Sequence, residues 1–120
     1  MRRDWEVIRR ILIKIEELPP DGRLLSSELA SNGIDNATAV FHMRILREAG
    51  LIDGTCVEGG YASTCNIGRL TWDGHELLNS MRQDTTWNKV KETAREKGLD
   101  LTIDVIKAAA KSIVAQLFLK

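Results

Sequence analysis

The sequence is poor in the features that mark several specialised protein classes. Of its 120 residues, two are cysteine, two are proline and 5% are aromatic. No apolar run approaches the roughly 20 residues needed to cross a bilayer, so we expect no membrane-spanning segment. Acidic and amphipathic residues follow Met1 within a few positions, which predicts a chain without a signal peptide that works in the cytoplasm.

The two cysteines, Cys56 and Cys65, flank the tip of a predicted hairpin and could face each other across it. Because nothing in the sequence signals export, we expect a reducing compartment and two free thiols in preference to a disulfide. A redox-sensing hairpin is the alternative, and counting free thiols with and without reductant distinguishes the two.

Motifs that carry catalysis or bind metals are also missing from the sequence. The chain has no glycine-rich phosphate loop, no nucleophile elbow and no carboxylate pair at a telling spacing from a histidine. His42 and His75 stand far apart, and the cysteines lack the close spacing of metal ligands. We therefore expect no enzymatic activity, no cofactor and no metal site.

Positive charge is scarce where a DNA-binding surface would need it. The chain carries 17 basic and 17 acidic residues, yet residues 35–75 hold three basic and five acidic side chains. DNA-binding surfaces are usually basic, because neutralising phosphates supplies most of the non-specific affinity. The charge of the middle of the chain therefore gives no support to DNA binding.

What the sequence does contain is a regular succession of apolar faces. Its 43% hydrophobic and 28% charged residues are ordinary for a globular domain. Helical spacing, capping residues and the Pro19-Pro20 stop predict six helices and a hairpin. The predicted elements are helix 1 (4–18), a short strand (23–25), helix 2 (26–33), helix 3 (35–49), a hairpin (51–57 and 66–71), helix 4 (72–82), helix 5 (85–97) and helix 6 (102–118).

The junctions between these elements indicate the fold. Predicted helix 3 ends at Gly50 and passes directly into an apolar strand, and the hairpin hands over to predicted helix 4 at Trp72. This order predicts a mainly α protein with a small antiparallel β-hairpin, a winged helix-turn-helix with added C-terminal helices. We place the winged-helix domain at residues 1–82. Residues 83–120 form a helical extension that packs on it, dimerises, or both.

The large apolar side chains indicate where these elements pack. We expect the three tryptophans, Trp5, Trp72 and Trp87, to be core anchors, with Trp72 under predicted helix 3. Predicted helix 6 has an inner stripe that includes Val114 and a wider apolar surface than one helix of a small domain needs. This surplus predicts a homodimer through predicted helix 6.

The outward face of predicted helix 3 carries the candidate site. A DNA reader would place this face in the major groove, and the candidates for DNA contact are Thr38, His42, Arg44 and Arg47. For His42, packing within the helical bundle is the competing interpretation. The candidates for contact with a protein partner are Val40, Phe41, Ile45 and, in the hairpin tip, Tyr61. The site thus fits either a DNA-binding regulator or a winged-helix interaction module that binds no DNA.

Two resemblances bear on this choice. Residues 5–82 resemble the DNA-binding half of bacterial winged-helix repressors, on the run Phe41–Ile52 and the stretch Leu70–Gly74. The whole chain more closely resembles an uncharacterised family of small proteins from bacteria, phages and prophages, on Met1–Leu12, the Phe41-His42 pair and Arg69–Leu78. The second resemblance implies a winged helix and a mobile-element origin, and with the fold it leads us to expect a phage or prophage type of regulatory protein. It implies no activity.

Overall fold

The chain is mainly helical, with a small three-stranded antiparallel sheet, as predicted. The computed structural model describes residues 1–59 and 63–118. Its elements in chain order are α1 (Trp5–Glu16), β1 (Leu24–Leu25), a 3-10 helix (Ser26–Asn32), α2 (Asn36–Glu48), β2 (Ile52–Val57), β3 (Thr64–Leu70), α3 (Trp72–Asn79), α4 (Asp84–Glu96) and α5 (Ile103–Phe118). Every helix in these described ranges is too short or too polar to cross a lipid bilayer.

The amphipathic pattern of α1 sets its position in the core. The carboxylate of Asp4 caps the helix by accepting hydrogen bonds from the backbone N–H groups of Glu6, at 2.9 Å, and Val7. Four apolar residues at helical spacing are fully covered, namely Ile8, Ile11, Leu12 and Ile15. They pack against α2 and β3, so the predicted helix 1 and its inner face are confirmed.

Predicted helix 2 forms as a 3-10 helix rather than an α-helix. The carboxylate of Glu28 accepts a hydrogen bond from the Leu25 N–H at 2.8 Å, and the Ser31 hydroxyl donates to the Glu28 carbonyl at 3.1 Å. Short polar side chains that bond the local backbone in this way favour tight turns over a regular α-helix. Gly33 ends the segment with a φ of 79°, a conformation that glycine adopts without steric cost.

The sheet has the strand order β1-β3-β2, with β3 in the middle. Leu24 lies opposite Ile67, and a register shift interrupts the hairpin between Asp53 and Gly54. Cys56 and Cys65 lie directly opposite each other, as the hairpin predicts, and a disulfide joins them. The expectation of two free thiols is therefore wrong for this structure. It rested on the inferred compartment, whereas the register brings the two sulfur atoms within bonding distance.

Trp72 is not the core anchor that the sequence predicts, because 77% of its surface is exposed. The Thr71 hydroxyl donates to the Gly50 carbonyl at 2.7 Å and accepts from the Gly74 N–H at 3.1 Å. Gly74 is buried so tightly that a Cβ there would collide with the Leu51 carbonyl oxygen. Two residues correspond to roughly 200° around a helix, so the contact made by Gly74 turns Trp72 toward solvent.

Two compact units divide the chain, residues 1–75 and residues 76–120. In the second unit α4 packs on α5, and the predicted inward residues Trp87, Val90 and Ala94 are buried. Val114, predicted to face inward on α5, is instead 45% exposed, because the buried stripe of this helix centres on Ile106 and Ala110. The predicted domain boundary after residue 82 stays a prediction.

Candidate functional site

The candidate site is the outward face of α2, which a well-defined cap sets in place. The Asp35 carboxylate accepts a hydrogen bond from the Thr38 N–H at 2.8 Å, and hydrogen bonds from the side chain and the backbone of Thr38 lower the pKa of Asp35. Ala39, Met43 and Leu46 are buried on the opposite face, as predicted. The cap and the buried face thus fix the position of α2, and the outward face of the helix can carry a site.

A polar network ties the start of α2 to the rest of its unit. The Ser26 hydroxyl, fully buried, donates to the Asn36 side-chain oxygen at 2.7 Å and accepts from the Cys65 N–H at 3.1 Å. The Asn36 amide in turn donates to the Ser63 carbonyl at 2.9 Å. These bonds join the 3-10 helix, α2 and β3, so the angle at which α2 leaves the sheet is fixed by buried polar contacts.

Arg44 and Arg47 supply the positive charge on α2 itself. The Arg44 guanidinium lies 2.5 Å from the Glu58 carboxylate at the end of β2, and 42% of its side chain is exposed. Arg47 is exposed in the last turn of the helix, and Thr38 is half-exposed in the first. Glu58 therefore partly neutralises Arg44, and a ligand that contacts Arg44 has to compete with Glu58.

His42 lies inside the protein, with 1% of its surface exposed. Its Nε2 accepts a hydrogen bond from the Asp4 N–H at 2.9 Å, and its Nδ1–H donates to the Thr38 carbonyl at 2.8 Å. Both ring nitrogens are occupied, so His42 is a packing residue and we withdraw it as a DNA contact. Val40, predicted to contact a protein partner, is 6% exposed, so it is also too buried to belong to the candidate surface. The elements packed against α2 cover a wider arc of the helix than the sequence pattern predicts, and both Val40 and His42 lie within the covered arc.

The apolar part of the surface is reduced to two residues one turn apart. Phe41 and Ile45 are each half-buried, and the Phe41 ring meets the His42 ring edge to face at a centroid distance of 5.1 Å. Packing on His42 limits how much of Phe41 a partner can reach. Tyr61, the remaining predicted partner contact, lies outside the described residues.

The hydrogen bond between Asp4 and His42 has a consequence for charge. It holds the start of α1 against the buried side of α2 at His42, so the exposed Arg2 and Arg3, which directly precede Asp4, lie next to this contact. The Arg3 guanidinium stacks on the Trp5 ring at 4.7 Å. We call Arg2 and Arg3 the arginine arm. Sequence reasoning missed it because the link joins residues 38 positions apart, and a buried histidine carries no sequence signal of its partner.

The sequence can now be placed among known proteins. The sequence profile of a family described as Hypothetical protein (DUF2513) matches residues 2–100. The chain belongs to the DUF2513 family. An uncharacterised protein of Haemophilus influenzae (strain Rd) is 39% identical over 118 residues, which are 98% of each chain. No solved structure matches the chain. The expected resemblance to an uncharacterised protein family is thereby confirmed.

The DUF2513 match contains the whole candidate surface. The matched residues include the arginine arm, α2 and the hairpin, and they end before α5 begins at Ile103. The relative from Haemophilus influenzae also covers the region of α5. Among the His, Cys, Asp and Glu side chains of residues 1–59 and 63–118, no group of three or more is placed to hold a metal ion.

Proposed function

We propose that this protein is a winged-helix regulatory protein that binds DNA through α2. The order α1, β1, 3-10 helix, α2, β2, β3 and the strand order β1-β3-β2 support the winged-helix assignment. In such a fold the helix before the hairpin enters the major groove. The phage or prophage type of this regulator rests on the sequence resemblance alone, and the step from fold to function is an analogy.

The observation that carries the proposal is the Asp4–His42 hydrogen bond. Residues 35–75 hold three basic and five acidic side chains, too few cations for a DNA-binding surface, but this bond ties the arginine arm to the helix that carries Arg44 and Arg47. The arginine arm and the two arginines of α2 would neutralise phosphates at different edges of the α2 surface, because arginine forms paired hydrogen bonds with phosphate oxygens. Thr38 then lies between the arm and the arginines of α2.

The proposal assigns different roles to these residues. The arginine arm would contact phosphates and so supply affinity without sequence preference. Arg44, at the centre of α2, would exchange Glu58 for a base edge or a phosphate, and Thr38 would contact bases or the backbone. Phe41 would lie against the apolar methyl group of a thymine or against sugar carbons.

A protein-interaction module is the second candidate, and the Arg44–Glu58 pair favours it. This ion pair neutralises the central cation of α2, and residues 1–75 carry nine basic against eleven acidic side chains. In that case Phe41 and Ile45 would form the centre of a protein contact, since aromatic anchors dominate such interfaces. This function predicts no DNA affinity at any salt concentration.

Fluorescence anisotropy with a labelled, mixed-sequence DNA duplex distinguishes the two functions. We expect binding at low salt that weakens steeply as salt rises, and the double variant R44A/R47A should weaken it by about tenfold or more. The charge-matched control K89A/R95A removes two exposed cations of α4 and should bind like the wild type. Absence of binding by the folded protein at low salt would remove the DNA-binding function and leave the interaction module.

A further inference from the structure

The outer face of α5 carries a regular row of residues that nothing in the described chain covers. Five exposed residues follow one another at spacings of four, three, four and three, namely Asp104, Ala108, Lys111, Ala115 and Phe118. We call this row the α5 seam. This is the spacing at which one helix contacts another along its length. Phe118 is 83% exposed at the end of the row, an unusual position for a large aromatic side chain.

A groove lies beside the seam, between α4 and α5. Its volume is about 270 Å³, and its lining is mostly apolar, with Leu99 and Val105 at one end and Ala108 and Ser112 along its side. Leu99 is itself half exposed. Seam and groove together form a continuous, largely apolar strip on the second unit.

We propose that the α5 seam binds the α5 seam of a second copy of this chain, in antiparallel orientation. The charges of the seam argue for this occupant. Asp104 stands four residues before Ala108, and Lys111 stands three residues after it. If two antiparallel helices cross near Ala108, each Asp104 lies level with the Lys111 of the other copy. A parallel copy would instead set Asp104 against Asp104 and Lys111 against Lys111.

The remaining seam residues fit the same register. The small side chain of Ala108 at the crossing lets the helix axes approach to about 8 Å. Phe118, ten residues after Ala108, then lies level with the chain ten residues before Ala108 in the other copy, where its ring would replace water against the half-exposed Leu99. The interface uses a single helix and one groove, so it falls at the small end of protein interfaces, and we expect a dissociation constant on the order of micromolar. The dimer does not depend on the DNA-binding function.

Charge reversal tests the register directly, with the full chain and sedimentation velocity over a range of concentrations. Asp104→Lys and Lys111→Asp should each weaken dimerisation by about tenfold or more, because each creates two like-charge contacts. The double variant D104K/K111D should return to within about threefold of the wild type. The control Gln116→Lys introduces a charge at an exposed position that lies roughly 120° around the helix from the middle of the seam, and it should leave the dimer unchanged.

A second measurement covers the case in which charge reversal in the first turn of α5 unfolds the helix. Ala108→Cys should be joined between copies by a short bismaleimide at micromolar protein, and Gln116→Cys, at an exposed position far from the crossing and roughly 120° around the helix from the seam, should not. The proposal is overturned by a wild type that stays monomeric at all concentrations tested. It is also overturned by single reversals without effect, by a double variant as weak as the singles, or by equal cross-linking of the two cysteine variants.

Discussion

At the scale of single residues, the most consequential contact is made by a side chain that never reaches the surface. His42 accepts from the Asp4 N–H and donates to the Thr38 carbonyl, so one neutral imidazole connects the start of α1 to the first turn of α2. Asp4 is also the N-cap of α1. The hydrogen bond between Asp4 and His42 therefore holds the start of α1 against the middle of α2, and it positions the arginine arm.

Replacing His42 by alanine should be costly. The variant leaves a buried cavity and removes the hydrogen-bond partner of the Asp4 N–H, so we expect a loss of about 2–4 kcal/mol in the free energy of unfolding. Urea denaturation followed by circular dichroism measures this loss. The matched control is His75→Ala, an exposed histidine whose removal should cost less than about 0.5 kcal/mol. Equal effects of the two substitutions would contradict the structural role of His42.

Asp35 gives the first turn of α2 a dependence on pH. Hydrogen bonds from Thr38 lower its pKa in the folded state below the ordinary value of 3.8. The stabilisation is therefore fully present above pH 3.8 and is lost as the pH falls through the lowered folded-state pKa. Thermal melting of the wild type and of Asp35→Ala should differ most near neutral pH and converge as the pH falls below the lowered folded-state pKa of Asp35. A difference in Tm that grows toward acid pH would contradict the cap.

The residue scale is also where the sequence was least informative. Helical spacing predicts the angle at which Val40 and His42 leave α2, but not how wide an arc the neighbouring elements cover. The partner of His42 lies 38 positions away and contributes a backbone N–H, which every residue except proline possesses. No side-chain pattern could therefore have revealed it.

At the scale of elements, the sequence predicts which helix faces are buried, but it does not predict the 3-10 form of the second helix or the orientation of α3. Ile8, Ile11 and Leu12 of α1 and Trp87 and Val90 of α4 are buried as their spacing predicts, because burial follows the helical repeat. The 3-10 helix and the orientation of α3 depend instead on single local contacts. In α3 the decisive contact is the close approach of Gly74 to the Leu51 carbonyl, which is possible because glycine has no side chain. This contact turns Trp72 toward solvent.

Adding one methyl group at Gly74 tests that explanation. A Cβ there would collide with the Leu51 carbonyl, a backbone atom that cannot move without disturbing the entry to β2. Gly74→Ala should therefore lower the free energy of unfolding by about 2–4 kcal/mol. Gly59→Ala is the control, since a Cβ at Gly59 has nothing within 4 Å and its cost should be close to zero. If the two variants are equally stable, the close packing of α3 on the Leu51 segment is wrong.

At the scale of the whole molecule, the net charge of zero hides an uneven distribution. Residues 1–75 carry nine basic and eleven acidic side chains, and residues 76–120 carry eight and six. An argument from segment charge alone opposes DNA binding by the first unit. The fold changes that argument, because contacts across the chain set which charges act together, and the arginine arm joins α2 through the bond at His42.

The DUF2513 match covers one of the two proposed surfaces and ends before the other. The matched residues 2–100 hold the surface proposed for DNA, and α5, proposed for self-association, follows them. A dimer through α5 would link two copies of the proposed DNA-binding unit. Two-fold symmetric proteins of this kind bind two half-sites, so dimerisation would raise affinity through linkage of the two contacts.

The most direct test of the central claim is the salt dependence of DNA binding by the wild type and by R2A/R3A, with K89A/R95A as the charge-matched control. Each phosphate contact contributes about 0.9 to the slope of log K against log salt concentration. We predict a negative slope for the wild type, a slope reduced in magnitude by about 1–2 for R2A/R3A, and no change for K89A/R95A. An identical slope for all three proteins, or no binding at low salt, would contradict the account.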